Sequence, residues 1–405
     1  MTLRGRAVQA LLNRVGRARM LQSLALPAVP GDLVFVGDAL SLQGGWDEWF
    51  PGASIRVLGD EALLIDDARR LVAEVDSPRA LVLTLGTADL LGLAGNTNPS
   101  HAAARMDALV GLATSRVDPG SVFVVGVPAR PAIGRRAAEY NAKVASLVTA
   151  RGGTFVPPPP VAGNVADGYL VSLLRWDANV YSGLAQELER ATGVVGVPGR
   201  PVASLADVGN GLLAKAQQKR AQLFEALPAP SGRIVLYGDS ITEGGSWDGW
   251  LPGLRIANRG IGGDTVAQLA ARIDTAIDSP LAVSLLVGTN DLQRGEPKDP
   301  DSIARRFRDL IAQIREREPN VPILINSVMP RAAKFADPIG VINDHYRDIA
   351  NEFHAQYLDL WPALAASDRS LRKELTPDGL HLNADGYREW VALLQPALTG
   401  MVAGL

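Results

Sequence analysis

Two stretches of this chain, about 201 residues apart, carry the same pattern of glycine, aspartate, tryptophan and proline. The first reads LVFVGDALSLQGGWDEWFPG from Leu33, and the second reads IVLYGDSITEGGSWDGWLPG from Ile234. Gly37, Asp38, Trp46, Trp49 and Pro51 recur as Gly238, Asp239, Trp247, Trp250 and Pro252. Further on, DSP at Asp76–Pro78 meets DSP at Asp278–Pro280, and LGTADL at Leu85–Leu90 meets VGTNDL at Val287–Leu292. Solenoid units run only about 20 to 50 residues, so a repeat spanning almost half of 405 residues is a duplicated domain. The Gly- and Pro-containing stretch GVVGVPGRP, from Gly193, sets the boundary. The expected domains are 1–198 and 199–405.

Composition narrows the chemistry. There is no Cys, which excludes disulfides, thiolate nucleophiles and Cys-ligated metal sites. Only four His are present (His101, His345, His354 and His381), and no pair has the HExxH zinc spacing. A net charge of −3 lacks the basic footprint of a nucleic-acid binder, and no apolar run reaches the length of a membrane span. Residues 1 to 20 hold five Arg and no acid, which superficially resembles a targeting peptide. The interior segment Leu205–Leu227 has the same basic, amphipathic character, and LPA closes both segments, so each reads as a structural helix. The expectation is a cytoplasmic protein.

Within each copy, short β-branched runs alternate with helical patterns, which predicts βαβ units around a parallel sheet. In copy two the strands fall at Arg233–Tyr237, Arg255–Asn258, Ala282–Val287, Pro322–Ser327 and Gln356–Asp359. Helices fall near Thr265–Ile277, Asp301–Arg317, Pro338–His354 and Asn383–Leu398. Copy one repeats the order with Leu33–Val36, Ile55–Leu58, Leu81–Leu85, Val122–Val127 and a short strand around Phe155.

Chemistry gathers in copy two, at the carboxyl ends of strands where parallel α/β sheets bind ligands. Gly238-Asp239-Ser240 follows the first strand, Asn258–Asp264 the second and Gly288–Asp291 the third, while Asp378–His381 precedes the last helix. A GDS tripeptide alone is an ordinary turn or helix cap. Its company makes it a nucleophile candidate: His381 can act as general base on Ser240, and Asp378 can hold the imidazole tautomer. The oxyanion donors would be the backbone N–H of Ser240 and Gly263 and the side-chain amide of Asn290. Trp247 and Trp250 read as packing residues, and Asp239 and Asp291 as carboxylates that fix loops.

GDSITEGG, NRGIGGDT, GTNDL and DGLHL, in this order over residues 233–405, resemble the SGNH (GDSL) hydrolase family, in the branch of the platelet-activating-factor acetylhydrolases. The resemblance implies two tandem flavodoxin-like three-layer α/β/α sandwiches, each with a parallel five-stranded sheet in the order 2-1-3-4-5. It also implies hydrolysis of short-chain acyl esters without metal or cofactor.

Copy one keeps the scaffold and changes the site. Ala39 stands for the nucleophile and Ala88 for Asn290. Glu61 is set against Gly263, and Arg175 against His381. Copy one therefore reads as a pseudo-enzyme domain. The expected partner is a small-molecule ester, with an intramolecular pseudo-dimer of the two copies. Acyl transfer uses the same acyl-enzyme, so an acyltransferase and a carbohydrate O-acetylesterase stand as alternatives. A binding or scaffold role is the non-enzymatic one.

Overall fold

The computed structural model describes residues 21–26, 31–130, 133–161, 176–200, 202, 212–294 and 296–403. The expected helix over residues 1–20 lies outside them. The chain divides into two compact units, Met1–Pro228 and Ala229–Leu405.

In the first unit the strands are β1 (Leu33–Gly37), β2 (Ile55–Gly59), β3 (Ala80–Thr84), β4 (Val122–Val125) and β5 (Thr154–Val156). In the second they are β6 (Ile234–Gly238), β7 (Ile256–Gly260), β8 (Ala282–Leu286), β9 (Ile323–Asn326) and β10 (Gln356–Leu358). Each set forms a parallel five-stranded sheet, ordered β2-β1-β3-β4-β5 and β7-β6-β8-β9-β10. Both are the 2-1-3-4-5 order of the family fold, and helices flank each sheet. The central strands β1, β3, β6 and β8 are buried along their whole length, which is why they read as continuous apolar runs.

The two cores are matched in detail. Tyr140 donates its hydroxyl to Leu85 O, and Tyr346 does the same to Val287 O. Asn141 clamps the backbone N–H and C=O of Val127, as Asn343 clamps those of Val328. Trp46 and Trp247 are buried and donate to the carbonyls of Ser41 and Thr242. Trp247 packs edge-on against Trp390, on the last helix.

Two features differ from the sequence reading. The expected boundary at 198/199 falls instead between Pro228 and Ala229. The helix Leu212–Ala226 stays with the first unit, where Lys219 pairs with Asp177 at 3.3 Å and Arg220 donates to Gln43 at 2.9 Å. The helix expected over Thr265–Ile277 stops at Ala271 and resumes as a 3-10 turn over Ile273–Thr275. Arg272 sits at the break and turns its guanidinium to Asp264 and the Gly238 carbonyl.

Candidate active site

Ser240 opens a one-turn helix, Ser240–Glu243, directly after β6. Two residues make that position. A Cβ on Gly238 would come within 2.4 Å of the Leu286 carbonyl oxygen, so only glycine lets the neighbouring strand approach. Asp239 is the N-cap, and its carboxylate accepts the Ile241 N–H at 3.0 Å.

His381 comes from the other side, in the loop before the helix Ala384–Val402. That loop is folded by its own short-range bonds. Thr376 Oγ1 donates to the His381 carbonyl and accepts the N–H of Asp378 and Gly379. Asp378 Oδ1 accepts the N–H of Leu380 and His381. Asp378 Oδ2 then lies 2.7 Å from His381 Nδ1, and His381 Nε2 lies 3.0 Å from Ser240 Oγ. Burial works against the Asp378 charge. The hydrogen bond and charge of His381, with the two backbone N–H groups, outweigh it and hold its pKa down at about 2. Asp378 is thus a committed anion, able to keep Nδ1 protonated and leave Nε2 free to face the serine.

The loop after β7 brings Gly262 and Gly263 beside the serine: a Cβ built on Gly262 would lie 3.7 Å from Ser240 Cβ. Gly263 has φ +84, a left-handed conformation suited to glycine. Among the described residues, neither the Ser240 N–H nor the Gly263 N–H is taken by a protein acceptor. Asn290, 6% exposed, donates to the Asp264 carbonyl at 3.0 Å and lies 3.4 Å from Asp239 Oδ2. Asp291 accepts the Val266 N–H and Arg306, which fastens this rim. Burial, the largest influence, pushes the Asp239 carboxyl up to about 7 against the Ile241 N–H and the His381 charge.

The structure therefore gathers Ser240, Asp378, His381, Gly263 and Asn290 on one rim. It also adds Glu243, which the sequence reading passed over. Its buried carboxylate accepts the Gly262 N–H at 2.6 Å and so pins the loop that carries Gly263. The signal was present in the repeat: copy one has Leu42 at that place.

The first unit repeats the architecture around Ala39. Asp38 caps the one-turn helix Ala39–Leu42 through the Leu40 N–H, as Asp239 does through Ile241. Asp89 accepts the Ile65 N–H and pairs with Arg105 at 2.6 Å, which matches Asp291. One correspondence needs correction. The Asp60 N–H donates to the Gly37 carbonyl as the Ile261 N–H donates to that of Gly238, so Glu61 matches Gly262, and Ala62 matches Gly263. The chain also turns inward here. The Ala39 N–H donates to the Glu61 carbonyl at 3.3 Å, and the Ala62 N–H donates to Asp60 Oδ1 at 2.7 Å. Both positions that are open in the second unit are taken in the first. Ala88 stands, buried, where the second unit has Asn290, and Arg175 lies outside the described residues.

Among the described residues no group of acidic, His or Cys side chains could hold a metal ion, and no helix is long and apolar enough to cross a membrane.

The sequence profile of the GDSL-like Lipase/Acylhydrolase family matches residues 236–389. The fold and this match define the second unit as a domain of that family, a class of ester-hydrolysing enzymes. Similar solved structures include a putative acylhydrolase from Bacteroides fragilis, 24% identical, covering 46% of this chain and 96% of its own at TM-score 0.41. A putative platelet activating factor protein from Streptococcus pneumonia is 24% identical, covering 46% of this chain and 92% of its own at TM-score 0.42. A carbohydrate acetylesterase family member from Sinorhizobium meliloti is 19% identical, covering 43% of this chain and 100% of its own at TM-score 0.35. No curated protein matches in sequence.

Proposed function

We propose that the second unit is a serine esterase for short-chain acyl esters, acting through an acyl-enzyme on Ser240, and that the first unit is non-catalytic. The observation that supports this most is the unbroken line from Asp378 Oδ2 through His381 to Ser240 Oγ, with steps of 2.7 Å and 3.0 Å. Ser240 Oγ attacks the ester carbonyl carbon while His381 Nε2 takes its proton. Asp378 stabilises the imidazolium through Nδ1–H. The carbonyl oxygen, now negative, enters the space bounded by the Ser240 and Gly263 N–H groups, which have no other acceptor among the described residues. Asn290 supplies the third donor by giving up its long contact with Asp239. Collapse expels the alcohol, which leaves with the proton from His381. Water, deprotonated by His381, then attacks the acyl-enzyme and releases the acid.

The non-catalytic reading of the first unit rests on Ala39 in place of the nucleophile and on the internal acceptors of the Ala39 and Ala62 N–H groups.

The test is covalent. An organophosphonate should label the full chain once, at Ser240, and hydrolysis of a p-nitrophenyl acetate-to-octanoate series should fall with chain length. Ser240→Ala and His381→Ala should each lower kcat/KM by at least about 10⁴ with the fold intact. Undiminished labelling of Ser240→Ala would overturn the assignment.

A further inference from the structure

Beside the triad lies a cavity of about 310 Å³, bounded among others by Arg331, Ser370, Lys373, Thr376 and Asp378. Most of its polar groups are already engaged. Both Asp378 oxygens serve His381 and the loop backbone, Thr376 Oγ1 serves the same loop, and Ser370 Oγ donates to Asp368. The two cations are engaged only in part, and the charges of Asp239 and Asp378 already act on Arg331. Arg331 is only 8% exposed; its Nη1 reaches the carbonyl and hydroxyl of Thr289, and its plane lies over Phe335 at 4.2 Å. Its Nε–H, buried, has no hydrogen-bond partner among the described residues. Lys373 forms no ion pair among them, apart from the pull of its charge on Asp368.

A buried guanidinium N–H is costly to leave without an acceptor. In the first unit the counterpart, Arg130, lies over the Trp176 ring, whose centroid is 3.3 Å from the guanidinium carbon, whereas Arg331 lies over Phe335. Trp176 directly precedes the N-cap Asp177 of its helix; the residue in that place before the N-cap Asn383 is Leu382. In the second unit the guanidinium borders open space, and a second cation stands on the same wall.

We propose that this cavity is an anion subsite of the esterase, taking a carboxylate or phosphate carried by the ester substrate. The idea rests on Ser240 being the nucleophile. Asp378 forms part of the cavity wall and is one imidazole away from Ser240, which sets the cavity next to the proposed nucleophile. A planar guanidinium edge and a mobile ammonium suit a carboxylate or phosphate oxygen, where each contact is a charge-assisted hydrogen bond. The volume is at the lower end of ligand pockets, which run from about 300 Å³, and accommodates an anionic arm better than a long acyl chain.

The experiment compares matched esters on the full chain. One arm sets p-nitrophenyl butyrate against mono-p-nitrophenyl succinate, which differs by a terminal carboxylate. A second arm sets glycerol monoacetate against acetyl glycerol phosphate. In at least one arm the anionic ester should have a kcat/KM about tenfold higher, the size of one charge-assisted contact. The arm that responds identifies the anion. Lys373→Glu should remove most of that ratio. Arg331→Gln should lower it too, with circular dichroism confirming the fold because Arg331 also braces Thr289. Inorganic phosphate should inhibit butyrate hydrolysis competitively, and less so in Lys373→Glu. Ratios near one in both arms, or ratios unchanged in both folded variants, would overturn the subsite. That failure is distinct from failure of the esterase reading, in which hydrolysis of all four esters would persist in Ser240→Ala.

Discussion

Gly37-Asp38-Ala39 and Gly238-Asp239-Ser240 end equivalent strands, and each aspartate caps an equivalent one-turn helix. What separates the two units is the destination of a few backbone N–H groups. In the second unit those of Ser240 and Gly263 face the site with no protein acceptor among the described residues. In the first, the Glu61 carbonyl and the Asp60 carboxylate have taken their counterparts. A site of this kind is defined by hydrogen bonds left unmade, since a donor can stabilise a passing oxyanion only if the resting protein does not use it. Scaffold residues such as the buried tryptophans are indifferent to this and persist in both units.

Converting the second unit toward the first, one position at a time, sharpens the comparison. Asn290→Ala installs the residue found at Ala88, and kcat should fall about 10²–10³ with KM little changed. A loss under threefold would remove Asn290 from the oxyanion donors. Glu243→Leu installs the residue found at Leu42. It frees the Gly262 N–H, so Gly263 is no longer held in place, and kcat should drop about tenfold. Glu243→Gln keeps an acceptor and should recover much of that loss; equal damage from both variants would argue for a role of the charge itself.

The next effect is on stability. Asp239 has its pKa raised to about 7, so between about pH 4 and 7 the folded state keeps a proton that the unfolded chain has released. Its contribution therefore falls as pH rises through that window and levels off above it. Asn caps a helix as well as Asp does, so the Tm of Asp239→Asn relative to the parent should rise by a few degrees from pH 4 to 8. A Tm difference independent of pH would contradict it. Asp378, held down at about 2, acts in the opposite sense, its stabilisation being lost only as pH falls toward that value. The smallest effect runs in reverse: Ala39→Ser in a Ser240→Ala background should give no measurable turnover. Activity there would mean that the Glu61 carbonyl opens readily.

Much of this was legible because it is local. The central strands read as apolar runs, and Ser240, Asp378 and His381 lie in short motifs that fold on themselves. The structure moved Glu61 by one place because its register is set by a bond to Gly37 across the strand ends, which no local pattern records. The helix Leu212–Ala226 is legible as a helix from its local pattern. Its place is decided by side-chain partners as far away as Gln43. Glu243 escaped notice for a related reason: its partner, Gly262, is distant in sequence.

The bond from the Ala39 N–H to the Glu61 carbonyl also bears on the history of the chain. Once an idle donor finds an acceptor inside the protein, the change is favoured by stability alone, whatever selection asks of the reaction. If the first unit is non-catalytic, as proposed, a working site there would require the nucleophile, the amide donor and the loop to change together. On the proposed non-catalytic reading, the first unit would have passed a ratchet: it could drift in sequence or gain a new ligand, but single substitutions would not lead to catalysis.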